Sequence, residues 1–290
     1  MKWRIPSQVL AILLLGLLGT GVAEAKVNCK VTAGQAPYST IQSAVNDPAC
    51  SRVDVPIGTF YENVTINRNV TIRGKSHKTV VDGGSMGTVF FINSGTVALQ
   101  GMTITNGQGG SGGGILNYGM LTVENCLVSN NRGPNDGGGI YNLAGTVTVK
   151  NSTIDGNRAE QGGGIVNNHG TLTIDNSAIS NNTAIANGGI RNDSGMLTVR
   201  NSTISGNTAG FHGGGIYNGG KMTVQHSTIS GNTASSGSGG GISNNGALTL
   251  EHSNITGNTA GFFGGGIYNG GTLTVTKSII TDNTPDNIYP

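Results

Sequence analysis

Gly213-Gly214-Gly215-Ile216-Tyr217-Asn218, then Met222-Thr223-Val224, then Ser227-Thr228-Ile229-Ser230-Gly231-Asn232-Thr233-Ala234, is the stretch that decides the fold. It contains three short β-type runs separated by Gly or Asn, and no run of helical period. The unit recurs. Its Gly-Gly-Ile isoleucine returns as Ile115, Ile140, Ile165, Ile190, Ile216, Ile242 and Ile267, at intervals of 25, 25, 25, 26, 26 and 25 residues. A fixed long period is the signature of a solenoid. Three strands per period, each lying over its equivalent in the next, predict an all-β chain folded as a single-stranded right-handed parallel β-helix.

Stacking the repeats turns single residues into columns. Leu121, Val147, Leu172, Leu197, Met222, Leu248 and Leu273 make one aliphatic column. Val123, Val149, Ile174, Val199, Val224, Leu250 and Val275 make a second, and Val128, Ile154, Ile179, Ile204, Ile229, Ile255 and Ile280 a third. Side chains change face at every strand residue, so Leu and Val of Leu-Thr-Val point inward and Thr outward. With the isoleucines, four aliphatic residues per coil are buried, each contributing ~1.5–3 kcal/mol. Two Asn columns mark the turns, one from Asn117 to Asn269 and one from Asn131 to Asn283. Asn tolerates left-handed turns, and stacked amides can bond along a ladder, so these residues are read as structural.

Upstream the repeat loosens. Runs such as Val53-Asp54-Val55, Val70-Thr71-Ile72 and Val97-Ala98-Leu99 continue the strands, and Tyr38–Val45 has helical spacing with a Ser/Thr start. The expected organisation is therefore a signal peptide at 1–25, an N-terminal cap with a short capping helix at 26–52, and the β-helix at 53–290, regular from 112. Lys2 and Arg4, the apolar run Val9–Leu18 and Ala23-Glu24-Ala25 carry the signal reading. That run is shorter than the ~20 residues of a membrane span, and no later stretch could anchor the chain, so no membrane span is expected after signal removal. Secretion, or retention in the cell envelope, follows.

Gly accounts for 51 of 290 residues, while charged residues are 10% and aromatics 5%. The formal net charge of +2 is small and dispersed, which argues against a nucleic-acid partner. Cys29 and Cys50 bracket the cap and are a disulfide candidate in an oxidising compartment. Cys126 takes the place that Ser holds in the other repeats, and without a neighbouring His it reads as an inert buried thiol. Charged residues follow Leu-Thr-Val at Glu124, Lys150, Asp175 and Arg200, alternating in sign. Opposite charges on stacked neighbours favour the correct register. A regular Thr column, from Thr122 to Thr274, is flanked by these charges and by protruding Met120 and Met196, which spoils it as an ice-binding face.

The segment Tyr38–Val45, with Pro56-Ile57-Gly58-Thr59-Phe60-Tyr61-Glu62-Asn63-Val64 and Val70-Thr71-Ile72-Arg73-Gly74, resembles the opening of the pectin-lyase-like superfamily, especially pectin methylesterases. The Gly-Gly-Gly-Ile-Tyr-Asn and Asn-Ser-Thr-Ile-Ser-Gly-Asn-Thr units resemble bacterial β-helix repeat proteins related to chlamydial polymorphic outer membrane proteins. Together the resemblance covers residues about 38–285 and implies the β-helix fold, on which many chemistries are built. Of the methylesterase pattern only Gly58–Glu62 is present. The polygalacturonase Asn-Thr-Asp, Asp-Asp and Gly-His-Gly motifs and the pectate lyase Arg-x-Pro-x-x-Arg are absent.

Two charged constellations remain. Arg132, Asp136, Asp155, Arg158 and Glu160 bring two Arg of one turn column beside acids, and a saccharide carboxylate could lie across the guanidinium pair. An exposed ion-pair patch is the plainer reading. The second group is Asp54, Glu62, Arg73, Lys75, His77 and Asp82. No cofactor or metal set is expected: the Gly triplets lack the helix of a phosphate loop and the nonapeptide spacing of Ca²⁺-binding β-rolls. The sequence thus points to a binding or adhesion protein for glycan or protein at a cell surface, with a polysaccharide lyase, esterase or hydrolase as the alternative. The last repeat leaves a bare strand edge, a candidate for self-association.

Overall fold

The computed structural model describes residues 27–290, so the signal reading of 1–25 lies outside the described residues. From Val27 the chain winds through about eleven turns of a parallel β-solenoid. Its longest sheet has 11 strands and runs from Val27–Lys30 to Thr272–Thr276. A 10-stranded sheet holds the Gly-Gly-Ile strands, and another 10-stranded sheet runs from Gly58–Tyr61 to Ile279–Thr281. The stacking is in register: Leu172 pairs with Leu197, Ile174 with Val199 and Ile165 with Ile190.

A fourth sheet of 6 strands, Arg132–Asp136 to Thr259–Ala260, departs from the three expected per coil. Its members are short, and the residues they turn inward, Ala184, Ala209, Ala234 and Ala260, are small. A lone inward Ala leaves almost no hydrophobic signal.

The aliphatic columns fill the interior, with Leu172, Ile174, Ile179 and Ile190 all fully buried. The Asn side chains enter the same interior and bond the coils on either side and the nearby turn. In one ladder Asn142 donates to Asn167 at 2.8 Å and Asn167 to Asn192 at 2.8 Å. In the other Asn157 donates to Asn182 at 3.0 Å and Asn182 to Asn207 at 2.9 Å. Each buried amide would cost several kcal/mol unpaired, yet among the described residues no buried side-chain N or O lacks a partner. Close approach explains the Gly columns: a Cβ on Gly163 would stand 2.6 Å from both the Gly188 and Thr183 carbonyl oxygens.

At the N-terminal end, Cys29 and Cys50 are disulfide-bonded with their Cα atoms 5.5 Å apart. The helix Ile41–Asn46 buries Ile41, Ala44 and Val45. Thr40 and Ser43 form a capping box at its start, and Glu62 accepts from the Ile41 and Gln42 amides at 2.8 and 3.0 Å. The C-terminal end is different. Val275 is 42% exposed, whereas Leu250, one coil earlier in the same column, is 0% exposed. Ile288–Tyr289 extends only the Gly-Gly-Ile sheet at that end.

Candidate functional site

Arg73 ends the strand Val70–Arg73 on the outer face of the longest sheet, between Asp54 below and Gln100 above. Asp54 is occupied by Arg52, at 2.8 and 2.9 Å. Past Arg73 the chain leaves the sheet at Gly74, where a Cβ would overlap the Gly101 carbonyl, and loops outward through Lys75, Ser76, His77 and Lys78. Thr79 anchors the loop from inside: its buried hydroxyl donates to the Pro56 carbonyl and accepts from the Lys75 amide, both at 3.0 Å. Thr103 donates to the His77 carbonyl at 2.9 Å, and His77 Nε2 lies 3.2 Å from the Asn125 carbonyl, two coils away. The loop is thus fixed at three points.

Between this loop and the sheet lies a groove of about 650 Å³, lined by Arg73, Lys75, His77, Lys78, Gln100 and Glu124 among others. The one carboxylate in the lining is engaged: Glu124 accepts from Gln100 at 2.9 Å and pairs with Lys150 at 3.3 Å. Arg73, Lys75 and Lys78 are exposed and, among the described residues, make no ion pair. An open groove with three unneutralised cations is a site for an anion carried on an extended ligand.

The second constellation read from the sequence therefore divides. Arg73, Lys75 and His77 come together, but its acids serve the fold. Glu62 caps the helix, Asp54 pairs with Arg52, and Asp82 accepts from the Gly84 amide and Asn106 at 2.8 Å each. Lys78 and Gln100 fall outside both constellations read from the sequence, and Glu124 reads there as a member of the register-setting charge column. The signal for Lys78 was available, because Lys75-Ser76-His77-Lys78 is a dense basic run in a segment that breaks the repeat.

The first constellation does not converge either. Arg132 and Arg158 stack in register, both exposed. A bulge between Gly133 and Asp136 sets Asp136 against Gln161, not Glu160. Asp136 instead reaches Arg191 at 3.2 Å, and Arg191 also holds Asp193 at 2.6 Å. Burial raises the Asp136 carboxyl above its ordinary pKa; Arg191 opposes this, while Asp193 and Glu160 reinforce it. Asp155 stands apart, accepting from Ser180 and Asn181 at 2.7 and 2.8 Å.

Cys126 is buried, and desolvation pushes its thiol up to about 11. Its Sγ lies 3.3 Å from the Glu124 carbonyl, and its amide donates to Ser152 Oγ at 3.0 Å, so it continues the Ser column structurally. The charge column pairs in couples, Glu124 with Lys150 and Asp175 with Arg200 at 3.1 Å, as register control expects. Among the described residues no three of His, Cys, Asp and Glu are placed to hold a metal ion, and no helix is long and apolar enough to cross a membrane.

A family model described as "Right handed beta helix region" matches residues 60–225. Among solved structures, the crystal structure of pectate lyase Pel9A is similar in fold, with a TM-score of 0.56 and 15% identity, over 92% of this chain and 80% of that one. No curated protein matches the sequence.

Proposed function

Because the chain belongs to the right-handed β-helix family, which supplies a scaffold and not a reaction, we propose that it is an extracellular or envelope protein that binds an anionic polysaccharide. The observation that carries this reading is the groove beside Gly74–Lys78, where Arg73, Lys75 and Lys78 make no ion pair among the described residues. A uronate polymer fits such a groove: its carboxylates recur along a stiff chain, and its sugar hydroxyls can bond Gln100 and the His77 ring. The signal-like segment 1–25 and the Cys29–Cys50 disulfide support export. The helix Ile41–Asn46 is proposed to close the N-terminal end of the solenoid, the apolar residues on its inner face joining the core.

The alternative is turnover of the same polymer. It is favoured by the placing of Lys75 and His77 beside Arg73, since a lyase needs a base near a cation that binds the carboxylate. One experiment addresses both readings. Mobility is measured in gels containing polygalacturonate, and release of unsaturated products is followed by absorbance. Retardation that disappears in the Arg73→Ala/Lys75→Ala/Lys78→Ala variant is expected. Equal mobility of both proteins with and without polymer would overturn the proposal, and product release lost in that variant would establish the enzyme.

Self-association through the last coil is proposed on separate grounds. Val275 is open where its equivalents are buried, and the strand Thr272–Thr276 carries no charge to discourage pairing.

A further inference from the structure

The aromatic residues are concentrated on another face. Outward positions of the Gly-Gly-Ile sheet form a register column: Phe91, Leu116, Tyr141, Val166, Arg191, Tyr217, Ser243, Tyr268 and Tyr289. The tyrosine rings lie across the sheet, not away from it. The Tyr141 hydroxyl accepts from Asn168 at 3.0 Å, and a Cβ on Gly219 would touch the Tyr217 ring at 3.3 Å. Tyr141, Tyr217 and Tyr268 are half-buried, Tyr268 lying parallel to Tyr289 with ring centroids 5.9 Å apart, while the smaller Val166 and Ser243 between them in the column are buried. The adjoining loop tips Ile185, Phe211 and Phe262 are 56%, 50% and 60% exposed and form an apolar rim.

Spacing and charge identify an occupant. Phe91 and Tyr141 are two coils apart, and so are Tyr217 and Tyr268; at about 4.8 Å per coil that is ~9.6 Å. Two residues of an extended β-1,4-linked hexopyranose chain advance by nearly the same distance, and such sugars present a flat C–H face to aromatic rings. Between the two aromatic pairs stands Arg191, held by one carboxylate oxygen each of Asp136 and Asp193. With Glu160 nearby this centre carries three acids to one base, which repels a uronate and suits the hydroxyls of a neutral sugar.

We infer that this face is a second glycan site, distinct from the basic groove, which stacks a neutral β-1,4-linked hexopyranose chain along the solenoid axis. The column itself supplies substitutions that its backbone accepts: Val166 and Ser243 occupy the tyrosine position in other coils. Tyr141→Val and Tyr217→Ser are therefore expected to fold, which circular dichroism checks.

Calorimetric titration with cellohexaose tests the site. Saturable binding is expected, weakened about two- to tenfold by each tyrosine substitution, the range one aromatic contact is worth. Retention of cellohexaose binding by Arg73→Ala/Lys75→Ala/Lys78→Ala, and of polygalacturonate binding by the tyrosine variants, is expected too, so either site can fail without the other. Absence of cellohexaose binding to the unsubstituted protein, or unaltered affinity in both folded tyrosine variants, would overturn the inference.

Discussion

Replacing Leu172 and Leu273 separately by Ala isolates what coil stacking contributes. The two residues occupy the same column of the same sheet, so propensity and chemistry are matched. Leu172 is fully buried between Val147 and Leu197. Leu273 has Leu248 beneath it and, among the described residues, no strand paired above it; it is only partly buried. Emptying a fully enclosed Leu site costs about 2–5 kcal/mol through lost transfer energy and a residual cavity. A site already open on one side forms no closed cavity, and its loss is set by partial burial, about 1–2 kcal/mol. At roughly 2–4 °C per kcal/mol for a chain of this size, melting falls by about 4 °C or more for Leu172→Ala and by distinctly less for Leu273→Ala. Calorimetry would also register any splitting of the transition, since strand pairing passes between adjacent coils and a weakened middle coil can divide the solenoid into two cooperative blocks. Equal losses for the two variants would refute the reasoning.

Cys126 should resist a thiol reagent at about pH 8 until the protein unfolds, because burial keeps it protonated; rapid labelling of the native protein would contradict this. Asp175 lies below its ordinary pKa, chiefly through the hydrogen bond from Arg200. Its contribution should be complete above about pH 4 and disappear as pH falls through its folded value. Melting curves of the unsubstituted protein and Asp175→Asn should therefore differ near neutrality and converge in acid. Sedimentation should show concentration-dependent dimers that Val275→Lys abolishes, and a monomer at every concentration would remove the proposed end-to-end pairing.

The regular coils were legible because each column repeats one residue type. Leu172 and Leu197 are predicted to stack from period alone, and they do. The amide ladders were legible for the same reason, since Asn repeated at one position stacks amides one strand spacing apart, within reach of one another. What the period could not supply lies where it is broken. The extra residue around Pro134 bulges the strand and sets Asp136 against Gln161, and its carboxylate pairs with Arg191, 55 positions away, rather than with Arg132 or Arg158. The loop Gly74–Lys78 has no counterpart in other coils, so no column foretold that it would fold back over Gln100 and Glu124. The two aromatic pairs were hidden differently. Tyr141, Tyr217 and Tyr268 were read with the invariant Gly-Gly-Ile core, and their common outward face emerges only when the non-aromatic members of the column are placed beside them.

The ionic-strength dependence of polygalacturonate affinity bears most directly on the proposed role. Raising salt from about 0.01 to about 0.15 M shortens the screening length from ~30 to ~8 Å, so binding through Arg73, Lys75 and Lys78 should weaken steeply and the triple alanine variant should show little residual dependence. Tight binding indifferent to salt, or no binding even at the lowest salt, would contradict it.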